Sequence, residues 1–467
     1  MRIFSQRHIL TAGFVLLGVM STAAKAGYAD SSDARRVDSQ QQLPTGTKQQ
    51  NDDDAVGKYR RDIAAAPLDA SLQVALARLL VERARLPEAI EAYQRALALQ
   101  PASETIELAL AETYRRVHND DQARKILQTA RRQHPQSIEI LRAIGNLEMD
   151  AQAYDAAIEA FQAALKGASA NNAIKNLLAV AYLKKGDSDA ALRELDAVLQ
   201  NGSDGLARFL RAGIYADAGE NEKAQSDAEK VVAARPDYLP GRILDAKILV
   251  RLKECQKAAA VLQPPAVPAI ALDGDGLFLL ASAYECAGEK ELAEQVRAEF
   301  EAASRAEHEQ AENHVQSLHL VEQANTLAMQ NKLAEAQELL QEALERNPGN
   351  GFAYSQQAKI YFSLQQNSQA RNAIEKALQL QPYQPDFLYV LGVIEERAGN
   401  LDAAMAALRS VTLVNPREAD AYFEMGKIWL LKSDRAQALS AFRKAAELEP
   451  DDRDYREAVR AASEPHL

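Results

Sequence analysis

Small residues recur at a fixed interval along most of this chain, and the interval limits the fold more than any single motif does. Ala336, Ala370, Ala404 and Ala438 stand 34 residues apart, and a proline follows each by twelve residues, at Pro348, Pro382, Pro416 and Pro450. Upstream, Ala89, Ala123, Ala157, Ala191, Ala224, Ala258 and Ala293 continue the series with spacings of 34, 34, 34, 33, 34 and 35. A period of this length means one supersecondary unit repeated, each copy burying its apolar face on its neighbours. Pro101, Pro135 and Pro236 keep the closing proline, while Ser169 and Ser203 replace it.

Within one period the residues read as two helices. Tyr422, Met425, Gly426 and Trp429 belong to the first, and Ala438, Phe442, Ala445 and Pro450 to the second. Gly392 and Gly426, with Ala404 and Ala438, fit where two helix axes cross too closely for a larger side chain, and Leu408 and Phe442 fill the wider gap one turn on. Proline lacks an N–H and clashes with the preceding turn, so Pro416 and Pro450 end the second helix. Apolar residues make up 47% of the chain but aromatics only 6%, so the core must be built largely from Ala and Leu.

The order aromatic, Gly, aromatic, Ala, Phe, Pro resembles the tetratricopeptide repeat, almost continuously over residues 52–467. The resemblance implies an all-α, right-handed α-solenoid (superhelix) of about eleven helix-turn-helix repeats, with contacts running only between adjacent repeats. The expected divisions are a signal peptide over 1–26, a disordered polar linker over 27–51 and a degenerate half-repeat cap over 52–67. A block of seven repeats over 70–300 and an extended helical joint over 301–316 follow. A block of four repeats over 317–450 and a capping helix over 451–467 complete the chain. The joint rests on the step from Ala293 to Ala336, which is 43 residues and rich in Glu, Ala and Gln. Arg297 there occupies a position where an aromatic is expected. Pro264, Pro265 and Pro268 cut a helix short before it, and Asp52–Asp54 could cap the helix that carries Ala55, Tyr59 and Ile63.

Arg2 and Arg7, an apolar run from Ile9 to Met20 and Ala24-Lys25-Ala26 have the form of a cleaved Sec-type signal, with cleavage near Ala26. An uncleaved anchor is the alternative, although a bilayer span needs about 20 apolar residues. The location implied is periplasmic or secreted, with no membrane span after signal removal. Without residues 1–26 the chain keeps 51 basic against 66 acidic residues, a net charge of −15. Such a surface repels phosphate, so nucleic acid is not an expected partner. An oxidising compartment would permit a disulfide between Cys255 and Cys286, which neighbouring repeats bring together. Two separate small hydrophobes remain the other reading.

No G-x-S-x-G, P-loop, dinucleotide glycine fingerprint or H-E-x-x-H occurs, so no catalytic residue is expected. His308 and His319 are about 16 Å apart along a helix, too far to share a metal with His314. Asp273-Gly274-Asp275-Gly276 lacks the later ligands of a calcium loop and reads as a turn and helix cap. Asn201-Gly202-Ser203 matches a glycosylation sequon, relevant only in a eukaryotic secretory pathway. Neither cofactor nor metal is expected.

The resemblance places a concave groove on the fifth position of each first helix, where Phe209, Ile243, Phe278, Val321, Tyr389 and Phe423 form a largely apolar row. A protein or peptide ligand fits such a row. The same side chains could instead pack on their own neighbours. Lys247, Lys359 and Lys427 recur at the ninth position and would favour acidic ligands. Arg142 and Asn146 begin a carboxylate clamp, but Leu177 stands where the next asparagine is required. The function expected is a non-catalytic scaffold in a multi-subunit envelope complex, by family analogy polysaccharide export, pilus biogenesis or outer-membrane assembly. A periplasmic peptide-binding chaperone or an accessory subunit of an envelope enzyme complex are the alternatives.

Overall fold

The computed structural model describes residues 45–200, 202–263 and 272–464. The expected signal over 1–26, Asn201 and the Pro264, Pro265 and Pro268 run lie outside these residues, as does the linker up to residue 44. Every regular element described is an α-helix. The first, α1 (Thr45–Ala65), precedes the hairpins α2 (Ala70–Glu82) with α3 (Leu86–Leu99), α4 (Glu104–Arg116) with α5 (Asp120–Gln133) and α6 (Ile138–Asp150) with α7 (Tyr154–Gly167). Then come α8 (Asn172–Lys185) with α9 (Ser188–Gln200), α10 (Gly205–Asp217) with α11 (Asn221–Ala234), and α12 (Leu239–Arg251) with α13 (Cys255–Leu262). The next elements are α14 (Gly274–Ala287), α15 (Lys290–Met329) and α16 (Leu333–Arg346). The last hairpins are α17 (Gly351–Ser363) with α18 (Asn367–Leu380), α19 (Pro385–Arg397) with α20 (Leu401–Val414) and α21 (Ala419–Leu431) with α22 (Arg435–Leu448), followed by α23 (Arg453–Ser463). Because α15 is the second helix of one hairpin and the first of the next, the hairpins among the described residues number eleven.

Each signature alanine lies at the crossing of its hairpin: Ala89, Ala258, Ala336 and Ala438 are all fully buried. The first-helix glycines explain how close the crossing is. A Cβ on Gly426 would come within 2.4 Å of the Phe442 ring, and one on Gly392 within 2.8 Å of Leu408. A second periodic feature appears five residues before each alanine, where the turn between the two helices needs a left-handed residue. Gly186, Gly219, Gly288 and Gly399 supply it in four hairpins, and Ala84, His118, Gln152, Lys253, Asn331, Gln365 and Ser433 in the other seven. A residue with a Cβ is disfavoured in that conformation by about 1 kcal/mol, and the surrounding turn overrides it.

Two local expectations are corrected. Asp52–Asp54 do not cap a helix, because α1 begins at Thr45 and runs through them and through the last residues assigned to the polar linker. Lys48, Gln49 and Gln50 are adequate helix formers, so they extend the helix toward the N-terminus. In the long step before Ala336, Val296 and not Arg297 enters the core, while Arg297 pairs with Glu285 at 2.8 Å. The stretch 304–312 of the 40-residue α15 is exposed on every face.

Contacts divide the chain into two compact units. One holds residues 100–320 and 342–348, and its hairpins follow the nearest-neighbour order, α4 to α14 each packing on the next. The other holds the described part of 1–99 with 321–341 and 349–464, and here the expected contact rule fails. In that unit α3 packs against α20, and the Tyr383 hydroxyl donates to the Ala84 carbonyl, 299 residues away in sequence. The first hairpin therefore shares a unit with the last three. Among the described residues no helix is long and apolar enough to cross a membrane.

Candidate protein-binding groove

In the unit spanning 100–320, the fifth-position row is carried by α10, α12 and α14. Asp204 caps α10 by accepting from the Ala207 N–H at 2.9 Å, and Asp273 caps α14 by accepting from the Gly276 N–H at 2.9 Å, which is the role read for the Asp273–Gly276 run. Once these helices are set, Phe209, Ile243 and Phe278 occupy equivalent places on consecutive first helices. Phe209 is half-buried and meets the Tyr238 ring edge-on, with centroids 5.6 Å apart. Ile243 is half-buried against the cluster built on Ala246, Leu249 and Leu280. Phe278 is 62% exposed and touches the Phe300 ring at 5.8 Å.

The surroundings of the row are polar and mostly satisfied. Arg211 pairs with Asp227 at 2.7 Å and Asp196 at 2.6 Å, and Arg208 reaches Asp227 at 3.0 Å. Asn176, in the same row on α8, is buried and donates to the Asp204 carboxylate, so it ties two hairpins together and offers nothing to a ligand. Lys247 stands exposed one turn beyond Ile243. Arg142 is exposed on α6.

In the other unit the expected row is mostly buried or covered. Val321 is 6% and Tyr389 4% exposed, so both belong to the core. Phe423 is covered by Phe442 at 5.5 Å and by Tyr455 of the capping helix at 5.1 Å, with the Tyr455 hydroxyl bonded to Asp420. The closing helix needs an apolar bed, and the last repeat's row provides it. The lysines differ as well. Lys427 sits between Glu424 and Glu396, 3.6 Å from the latter; burial pushes Glu424 upward and the Lys427 ammonium opposes the shift. Burial holds Lys359 below the ordinary lysine range, with Asp386 opposing. Of the nine groove residues expected, Phe209 and Ile243 are half-buried and Phe278 and Lys247 exposed, on the successive first helices α10, α12 and α14. Phe300 was missed, since nothing in the 43-residue step marks which apolar residue turns back onto α14.

The two cysteines also meet. Cys255 opens α13 and is joined to Cys286 near the end of α14 with Cα atoms 5.6 Å apart. Among the described residues no group of three or more His, Cys, Asp or Glu is placed to hold a metal, and His308, His314 and His319 are spread along the exposed part of α15.

The described residues thus form a helical repeat protein with a partly exposed apolar row. Three profiles described as tetratricopeptide repeat match it, at residues 80–147 and 148–212, at 48–104 and 355–412, and at 419–452. Together they cover more than half of the sequence, and the chain belongs to the tetratricopeptide repeat family. The protein O-mannosyl-transferase TMTC1 of Homo sapiens is 28% identical over 132 residues, 27% of this chain and 15% of that protein. A BBSome complex member, the BBS4 homolog of Drosophila melanogaster, is 33% identical over 87 residues, 18% of each. The chain thus spans less than a fifth of these relatives, and the transferase name concerns that protein alone. A crystal structure of an APC/C hetero-tetramer, Cut9-Hcn1, is 12% identical with a TM-score of 0.30, covering 90% of this chain and 94% of that one.

Proposed function

We propose that the chain is an exported scaffold of the cell envelope that holds one segment of a partner protein along Phe209, Ile243 and Phe278. The observation that carries this reading is Phe278, a large aromatic side chain left 62% exposed at the end of an ordered row of half-buried ones. An aromatic anchor of this kind contributes most when a partner removes it from water. Lys247 beside the row favours a segment with apolar anchors and a local acid. The signal read over 1–26 favours the periplasm or the exterior of the cell. The test is capture of partners by the purified chain and by a Phe278→Ala variant of unchanged helicity. The reading expects at least a tenfold loss of the main partner from the variant, and equal capture by both would remove the groove.

A further inference from the structure

The sixth hairpin is built differently from the rest. Its second helix, α13, has 8 residues where its counterparts α3 and α9 have 14 and 13. It buries only Cys255, Ala258, Ala259 and Leu262, and both of its ends are held by bonds that the repeat pattern does not supply. At its start Cys255 is bonded to Cys286 of α14. At its end the Arg242 guanidinium of α12, 2% exposed, donates from Nε to the Val261 carbonyl at 2.8 Å and from Nη2 to the Leu262 carbonyl. The two cysteines are unequal: Cys255 is 5% exposed, whereas Cys286 lies on the surface.

We propose that the Cys255–Cys286 bond is a redox-released latch on α13, opened from the Cys286 side by a small dithiol. A thiolate in solution reaches the exposed sulfur and not the buried one, so it attacks Cys286 Sγ. The protein S–S bond breaks, a mixed disulfide forms between the reductant and Cys286, and Cys255 leaves as a thiolate that takes up a proton. The second thiol of the reductant then displaces Cys286, leaving two protein thiols and the oxidised cyclic reductant. Two electrons and two protons pass to the protein. With the latch open, α13 keeps only its few buried side chains and the Arg242 bonds, and it opens locally while α10 and α11 keep their own packing.

Hydrogen exchange read by mass spectrometry tests this on the full chain, oxidised and after dithiothreitol. Protection over 255–262 should fall at least tenfold on full reduction, with 205–234 unchanged. Unchanged protection at 255–262, or equal loss over 205–234, would overturn the latch. The double variant Cys255→Ser, Cys286→Ser should show the reduced pattern without reductant, and an oxidised pattern in that variant would refute the proposal. Limiting glutathione, quenched early, should be found on Cys286; a mixed disulfide on Cys255 contradicts the order of attack. Two thiols open to alkylation in the protein isolated under air would overturn it at the first step.

Discussion

The tenth hairpin buries Phe387, Leu388, Tyr389, Val390, Val393 and Ile394 of α19 against a full 14-residue α20, whereas the sixth has Arg242 and Asp245 among the buried residues of α12 and a partner helix of 8 residues. One is held by apolar area. The other is held by a covalent bond and by a guanidinium on helix-end carbonyls. Non-directional burial tolerates small errors of sequence because many weak contacts share the load. A truncated helix has too few such contacts, so individual bonds at its two ends carry its position.

That contrast can be broken from either side. Removing the largest apolar group of the tenth hairpin should have the largest effect: Phe387→Ala, fully buried, is expected to cost about 3–5 kcal/mol in urea unfolding. In the sixth hairpin Arg242→Met keeps much of the buried volume but leaves the Val261 and Leu262 carbonyls without their donor, at a cost of about 1–3 kcal/mol. Hydrogen exchange should show that loss concentrated at 255–262. A cost below about 0.5 kcal/mol would mean the guanidinium is dispensable.

Asp245 sharpens the same difference through pH. Burial, with Glu229 and Glu254 adding to it, pushes its carboxyl up to about 6, and its Oδ1 has no hydrogen-bond partner among the described residues. A raised carboxylate favours the folded state while protonated, so its penalty is absent below the unfolded value near 4 and complete above about 6. Asp245→Asn should therefore raise the melting temperature at pH 8, by the equivalent of about 1–2 kcal/mol, and leave it nearly unchanged at pH 4. An equal shift at both values would show that the charge is not the cause.

The smallest expected effect lies in the turns. Gln365 takes a left-handed conformation at φ 60° where the next hairpin uses Gly399 at 81°. Gln365→Gly should stabilise the ninth hairpin by about 0.5–1 kcal/mol, and Gly399→Ala should cost the tenth a similar amount. A thermal scan of both variants checks the pair.

These differences also mark what the sequence could tell. The alanine period was legible because a crossing with no spare volume admits few residues, and the same step from 293 to 336 recurs in the turn residues. The turns themselves were not, since in seven hairpins a non-glycine residue is forced into a conformation that no local propensity announces. The row of fifth positions marked one place on each first helix. It could not say that α23 would cover Phe423 or that Tyr389 would sink into the core, because exposure depends on which element folds back. The packing of α3 on α20 was out of reach for the same reason: it joins elements about 300 residues apart, beyond any nearest-neighbour pattern.

The proposed role of the α10, α12 and α14 face is to receive a partner protein. A photo-crosslinking aromatic residue placed at Phe278 tests it most directly, with the same probe at Glu222 on the exposed face of α11 as the reference. One dominant adduct is expected from position 278 and none from position 222. No adduct at either, or the same adducts from both, would contradict it.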